Sequence, residues 1–225
     1  AENSLKIKRK FLANISHEIR TPLHAIIGLG EQISMSELNA KQHMQIRMMN
    51  ESANGLLGII NDLLDYSRIE DGKLSFETAS FHLRETLYAV YNLFEHAAEK
   101  KNLKFDYEVH PSAQAVFIGD PLRIRQIITN IISNAIKFTE TGSVTTRFNI
   151  VEENGADCAL LFTCNDTGIG MSQEMKKRLF EDFSQEDESF QRKYGGSGLG
   201  LSITRELVRF MGGMIEIESE KNHGT

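Results

Sequence analysis

Leu12–Ile33 reads LANISHEIRTPLHAIIGLGEQI, and its apolar residues recur at Leu12, Ile15, Ile19, Pro22, Ile26, Leu29 and Ile33, in steps of 3, 4, 3, 4, 3 and 4. That alternation is the heptad seam of a long α-helix. A second run repeats it at Ile46, Met49, Ala53, Leu56, Ile60 and Leu63, while Leu57, Ile59 and Leu64 widen the apolar face beyond one seam. A hairpin of two such helices, turning near Ser34 to Ala40, cannot cover both stripes alone. The pattern therefore predicts that two copies pair as a four-helix bundle. With Leu12 at heptad position a and Ile15 at d, His17 takes f, the position farthest from the seam, and faces solvent. Glu18 is beside it, and Thr21 lies four residues on, on the same face. Pro22 has no N–H for the Glu18 carbonyl, so the helix is expected to bend one turn beyond His17. An exposed imidazole next to a carboxylate is a nucleophile with an orienting partner: the carboxylate holds one ring N–H and leaves the other nitrogen's lone pair free.

Around this stretch the composition is that of a globular chain. Its 225 residues, 40% of them hydrophobic, suffice for one or two domains with buried cores and exclude collagen-like and disordered classes. The formal charge of −6 carries no broad cationic field, which argues against nucleic acid as a partner. Lys6, Lys8, Arg9 and Lys10 are read as a solvated helix face. No window approaches the ~18 consecutive apolar residues of a membrane span, and the first residues lack a signal peptide's apolar stretch. A soluble, cytoplasmic fragment without membrane contact is expected, any anchor lying upstream. Cys158 and Cys164 share one short apolar stretch with no companion at metal-ligand spacing and read as small core residues.

After Tyr66–Gly72 the heptads stop, and Asp71-Gly72 with the polar run behind it marks a boundary near 71–80. The expected domains are 1–72, a linker at 73–80, and 81–225. In the second domain a helix is predicted at about 81–101, strands near 103–109 and 115–118, and a helix opened by Asp120 as N-cap with Pro121 in its first turn. Further strands are predicted near 143–151, 158–165 and 214–219, with helices near 172–181 and 200–211. Elements that are neither strictly alternating nor hairpin-spaced favour an α/β sandwich, with one mixed sheet covered by helices on one face.

The helix from Asp120 is apolar over most of its circumference, yet Arg123, Asn130, Asn134 and Lys137 project within about 60° of one another at ~100° per residue. Two amides and an ammonium in line suit a nucleoside triphosphate: an amide oxygen can ligate Mg²⁺, and the ammonium offsets phosphate charge. Asn165-Asp166-Thr167-Gly168-Ile169-Gly170 follows an apolar run. There a carboxylate can accept from an adenine amino group while the glycines let the backbone approach the ring. Gly195-Gly196-Ser197-Gly198-Leu199-Gly200 opens a helix whose free N–H groups favour phosphate. The polar segment Ser184 to Tyr194, with Arg192 and Lys193, reads as a lid.

Phe11 to Leu23 resembles the H box of sensor histidine kinases through more than ten consecutive positions. The later boxes follow in family order: Asp120–Thr139 is similar to the N box, Asp166–Gly170 to the G1 box, Leu179–Phe183 to the F box, and Gly196–Leu201 to the G2 box. Asp182 stands where the F box commonly has Pro, and Ser197 where the G2 box commonly has Thr, which keeps the hydroxyl. His24, one heptad after His17, has no such surroundings and reads as a surface residue.

The resemblance implies a dimerisation and phosphotransfer hairpin followed by an ATP-binding domain of the gyrase, Hsp90, histidine kinase and MutL type. It implies catalytic roles for His17 as phosphoryl acceptor, Glu18 in proton removal and Thr21 in dephosphorylating the partner. It implies nucleotide contacts from Asn130, Asn134, Lys137, Asp166, Gly168, Gly170, Arg192, Gly196, Ser197, Gly198, Leu199 and Gly200, with ATP and Mg²⁺ as cofactors and the metal on Asn134 and Asn130. The implied partners are a second copy of the chain and a response-regulator receiver domain whose aspartate takes the phosphoryl group. A water-activating Glu of the related ATPases is replaced by Asn130, as in the kinases. The family continues past Thr225 into a further strand, so residues beyond it are expected to complete the sheet. A catalytically silent or phosphatase-dominant regulatory dimer, or a hydrolytic ATPase, would be the rival readings.

Overall fold

The computed structural model describes residues 2–154, 157–180 and 198–225, and its contacts divide the chain into two units, Ala1–Leu74 and Ser75–Thr225.

In the first unit, α1 (Glu2–Ser34) and α2 (Ala40–Glu70) form a hairpin. Asn39 begins α2 with a capping box: its side chain accepts from the Gln42 N–H at 3.0 Å while the Gln42 side chain accepts from the Asn39 N–H at 2.9 Å. Two donors that the helix cannot pair internally are thereby satisfied, a contribution of about 1 kcal/mol that fixes where the turn ends. α1 continues through Pro22 as one helix, so the expected bend does not interrupt it. Missing one N–H costs a single helical bond, which the turns on either side outlast.

Leu23, Ala53, Leu57 and Ile60 are buried between the helices, with Ile19 and Ile27 packed against them. Of the residues on the predicted α1 seam, Ile26, Leu29 and Ile33 remain 39%, 58% and 44% exposed, and Met49, Leu56 and Ile59 of α2 are exposed as well. The hairpin thus uses part of the predicted seams, Ile19 with Ala53 and Ile60, together with the flanking Leu23, Ile27 and Leu57. An uncovered apolar stripe is left on both helices.

The second unit begins with β1 (Ala79–His82), which the sequence reading missed, and continues into α3 (Leu83–Lys100), β2 (Lys104–Val109), a 3₁₀ turn (Pro111–Gln114) and β3 (Val116–Gly119). Then come α4 (Pro121–Phe138), β4 (Ser143–Asn154), β5 (Asp157–Asp166), α5 (Gln173–Arg178) and α6 (Gly200–Phe210). Among the described residues there are two sheets where one was expected. β2–β4–β5 is mixed, with β2 parallel to β4 and β4 antiparallel to β5, while β1 and β3 pair antiparallel as a separate ribbon. The four-residue β1 was too short to show a period against its surroundings.

Met214–Ser219 forms no strand; the chain there makes one isolated antiparallel bridge, Glu220 with Gly224. Among the described residues no strand pairs with it, and β-propensity without a partner does not make a strand. The edge of β5 is engaged at its end instead, where the Asp166 N–H donates to the Thr225 carbonyl at 2.8 Å.

One core joins α3, α4 and the mixed sheet. Leu83, Leu87, Val90 and Tyr91 of α3, Ile124, Ile128, Ile132 and Ile136 of α4, and Val144 and Phe148 of β4 are all buried in it. Tyr91 stacks on Tyr107 of β2 with ring centroids 4.3 Å apart. Burying each large aliphatic side chain contributes about 1.5–3 kcal/mol, so this core anchors α4, the helix that carries the polar stripe.

Candidate functional site

The two halves of the predicted site lie in different units. On α1, His17, Glu18, Thr21 and His24 are exposed, while Ser16 is buried and Ile19 packs toward α2. With Ser16 buried and Ile19 packed against the hairpin core, the His17-Glu18 pair between them turns outward, as helical periodicity requires. The Thr21 hydroxyl donates to the His17 carbonyl at 3.1 Å, and the Arg20 guanidinium donates to Asn61 Oδ1 of α2 at 3.2 Å. The turn after the histidine is therefore tied both to itself and across the hairpin.

In the second unit Asp120 caps α4 as its sequence implies. Its carboxylate accepts from the Arg123 N–H and from the Glu77 N–H, each at 3.0 Å. Arg123, at the first turn of the stripe, is buried, and its guanidinium donates to the Gln126 side chain at 2.7 Å. Asn130, Asn134 and Lys137 are all half-buried on one side of α4. Asn130 Nδ2 donates to Thr204 Oγ1 of α6 at 2.7 Å, and a Cβ on Gly200 would fall 2.5 Å from Asn130 Oδ1. This bond orients the amide so that its oxygen faces the start of α6. Sequence reasoning missed Thr204, whose only signal is its place one turn after Gly200.

Lys137 sits with its ammonium 4.8 Å from the Phe138 ring centroid, and burial lowers its pKa from the ordinary lysine value. A phosphate group would reverse that shift, because a nearby opposite charge favours the protonated form.

Asp166 ends β5. One carboxylate oxygen accepts from the Gly168 N–H at 2.8 Å. Burial raises the pKa of this carboxyl above the usual aspartate value, and backbone hydrogen bonds from Gly168 and Thr225 partly oppose the rise. Cys164, two residues earlier, is pushed up to about 12 by burial and by the Asp166 charge, so it stays a neutral thiol. Gly170 has φ +57°, and a Cβ there would collide with the Glu220 carbonyl. Only glycine takes this left-handed, crowded position without strain. The turn therefore folds tightly back on the chain's last residues, and the half-buried Asp166 carboxylate sits at its head.

Gly198 and Gly200 lie at the start of α6, and Leu199, its N-cap residue, is buried. Arg192, Gly196, Ser197 and the predicted lid lie outside the described residues. Neither Cys158 nor Cys164 is in a disulfide; Cys164 is half-buried, whereas Cys158, expected in the core, is exposed. Among the described residues no group of three or more His, Cys, Asp or Glu side chains gathers, and no helix is long and apolar enough to cross a membrane. The donor set of the polar stripe, amide oxygens with an ammonium beside them, fits a magnesium–phosphate group, since Mg²⁺ takes oxygen ligands and is held together with substrate phosphates.

Residues 7–72 match the profile of the His Kinase A (phospho-acceptor) domain, and residues 119–225 match that of the histidine kinase-, DNA gyrase B-, and HSP90-like ATPase. Over 98% of its length the chain is 43% identical to the sensor histidine kinase GacS of Pseudomonas protegens, and over all of it 42% identical to the signal transduction histidine-protein kinase BarA of Escherichia coli. It spans 24% of the length of each, about a quarter. Among solved structures it is similar to full-length ShkA in complex with AMPPNP, with TM-score 0.71 and 30% identity over 96% of this chain and 44% of that one. The histidine kinase AdeS of Acinetobacter baumannii shares the fold, with TM-score 0.60 and 20% identity over 92% of this chain and 93% of that one. The outward His17 on a helical hairpin and the Asp166 turn beside α4 thus belong to a phosphoacceptor domain and an ATPase domain in succession, and the chain is a member of the sensor histidine kinase family.

Proposed function

We propose that this chain is a transmitter core that phosphorylates itself on His17 with ATP and passes the phosphoryl group to an aspartate of a receiver domain. The observation that carries the reading is the exposure of His17 with Glu18 beside it, on a helix whose adjoining Ser16 and Ile19 turn inward. In this reading Asp166 accepts from the adenine amino group, and Gly168 and Gly170 admit the ring edge. Asn134 and Asn130 offer amide oxygens to Mg²⁺, which when bound neutralises phosphate charge. Lys137 and the N–H groups of Gly196, Ser197, Gly198, Leu199 and Gly200 hold phosphate oxygens, with Arg192 as a further nucleotide-binding residue by family resemblance.

A ring nitrogen of His17 attacks the γ-phosphorus in line; the N–P bond forms as the P–O bond to ADP breaks, and the other ring N–H is held by Glu18. Positioning and charge neutralisation supply most of the catalysis in such transfers. Asn130, four residues before Asn134, is an amide and cannot take a proton from water, which favours transfer over hydrolysis. Two copies pair through the exposed stripe of Ile26, Leu29, Ile33, Met49, Leu56 and Ile59. The reading puts the segment in the cytoplasm, where ATP and receiver domains are found.

Incubating the chain with Mg²⁺ and γ-labelled ATP tests this directly. Label lost in acid and retained in base is expected, as for a phosphorus–nitrogen bond. An unlabelled protein that binds ATP would favour the regulatory or phosphatase-dominant alternative.

Two further results are expected. Thr21→Ala should leave autophosphorylation intact while slowing dephosphorylation of a phosphorylated receiver, because the hydroxyl stands one turn from the histidine. Its exposed hydroxyl bonds to its own helix, so hairpin stability should change by no more than about 0.5 kcal/mol. A wild-type dephosphorylation rate would refute the assignment. The second concerns pH. With its pKa raised by burial, Asp166 takes up a proton at a higher pH than an ordinary aspartate, and the protonated form accepts less well from adenine. Nucleotide affinity measured calorimetrically should therefore fall on acidification before ordinary carboxylates titrate. Without nucleotide the sign reverses: the folded unit holds this proton more tightly than the unfolded chain, so Asp166's contribution to stability is lost as pH rises through its titration.

A further inference from the structure

α3 ends in a Schellman motif. The Asn102 N–H donates to the Glu99 carbonyl at 2.9 Å and the Leu103 N–H to the Ala98 carbonyl at 3.0 Å, with Asn102 in the left-handed region at φ 54°. Ala98 and Leu103 are both buried, which supplies the apolar contact this motif carries. The backbone of Lys101, the C-cap residue, is thus fixed, and its side chain crosses to the far end of α4. There the Lys101 ammonium donates to the carbonyls of Ile136, Lys137 and Thr139, at 2.6, 3.0 and 3.3 Å.

A helix C-terminus leaves its last carbonyls without intrahelical partners and carries partial negative charge, so a cation there is favoured twice over. The remaining carbonyls of this turn are also taken. Ala135 accepts from the Thr139 N–H and hydroxyl, at 3.1 and 2.7 Å, and Phe138 accepts from the Ile169 N–H at 3.3 Å. Ile169 lies between Gly168 and Gly170 in the Asp166 turn. A Cβ on Gly168 would fall 2.5 Å from the Phe138 oxygen, so the two segments meet at close range.

From this geometry we infer that Lys101, which touches no nucleotide, is a positioning residue for the nucleotide site: its ammonium holds the last turn of α4 so that Lys137 and the Asp166–Gly170 turn keep a common register. The inference rests on the nucleotide reading given above. Loss of the ammonium frees three carbonyls at once, and the Phe138 carbonyl that holds Ile169 is in the same turn.

The test compares Lys101→Met, which keeps the aliphatic stem and loses the donors, with Lys101→Arg and with Leu87→Ala, a cavity variant of the α3 core. Affinity for Mg²⁺ with the β,γ-imido analogue of ATP is measured by calorimetry well below each melting temperature. Hydrogen exchange of the Ile169 amide is measured without nucleotide. Lys101→Met should bind roughly tenfold more weakly or worse and exchange the Ile169 amide faster than amides of the β4–β5 ladder. Lys101→Arg should recover most of both, and Leu87→Ala should lower the melting temperature with wild-type affinity. Wild-type affinity in Lys101→Met, or equal weakening in Leu87→Ala, would overturn the inference and leave the nucleotide reading standing. Absence of binding by the wild-type chain would overturn both.

Discussion

A His17→Gln protein, given Mg²⁺ and γ-labelled ATP, is expected to carry no acid-labile label while binding ATP as the wild type does. Glutamine keeps hydrogen-bonding capacity and is a good helix former, and position 17 is exposed on α1, so the hairpin has no reason to change. What disappears is the ring nitrogen whose lone pair can form the N–P bond; an amide nitrogen is conjugated to its carbonyl and is not a nucleophile. The effect is therefore a loss to background rather than a graded fall. Nucleotide affinity is preserved because every proposed contact lies in the unit Ser75–Thr225. Label at wild-type level in the variant would move the acceptor elsewhere, with the exposed His24 the first residue to substitute.

Asn134→Ala is expected to abolish both Mg²⁺-dependent ATP binding and phosphohistidine, with the fold intact. The residue is half-buried on the polar side of α4, whose apolar side, Ile124, Ile128, Ile132 and Ile136, holds the core. Alanine favours a helix interior over asparagine by up to about 0.7 kcal/mol, so the melting temperature should hold or rise. In the proposed site the amide oxygen is the neutral ligand that joins magnesium and phosphates to the protein, and a methyl group offers no lone pair to take its place. Asn130 does not replace it, since its single amide oxygen supplies one ligand where the proposed site uses two, and its NH2 group is held by Thr204 at 2.7 Å. Circular dichroism and melting would verify the fold, and normal phosphohistidine in a folded variant would refute the role.

These two expectations differ in how directly the sequence supports them. The outward histidine follows from a period of 3.6 acting over one helix, and the capped start of α4 follows from Asp120 and Pro121, contacts that span at most four residues. Local physics of this kind is written in consecutive letters, and so are the Asp166-x-Gly turn and the hairpin turn at Asn39. The family resemblance reaches further, because the boxes preserve an arrangement that no single box explains.

Other features depend on which distant segments meet. The predicted α1 seam keeps Ile19 in the hairpin core, yet packing against Ala53, Leu57 and Ile60 brings in Leu23 and Ile27 and leaves Ile26, Leu29 and Ile33 exposed. Arg123 shares the angle of the polar stripe, and only the folded chain shows it buried and donating to Gln126. Ala79–His82 became a strand because Val116–Gly119 lay beside it, and Met214–Ser219, with no strand paired to it among the described residues, did not. Asn130 meets Thr204 across 74 positions, and Lys101 reaches the end of α4 across 35 to 38. Helix periods, caps and tight turns are settled among near neighbours, so the letters alone announce them. Pairing, burial and the orientation of the site's amides are settled by which remote surfaces exclude water together, and that is a property of the folded chain.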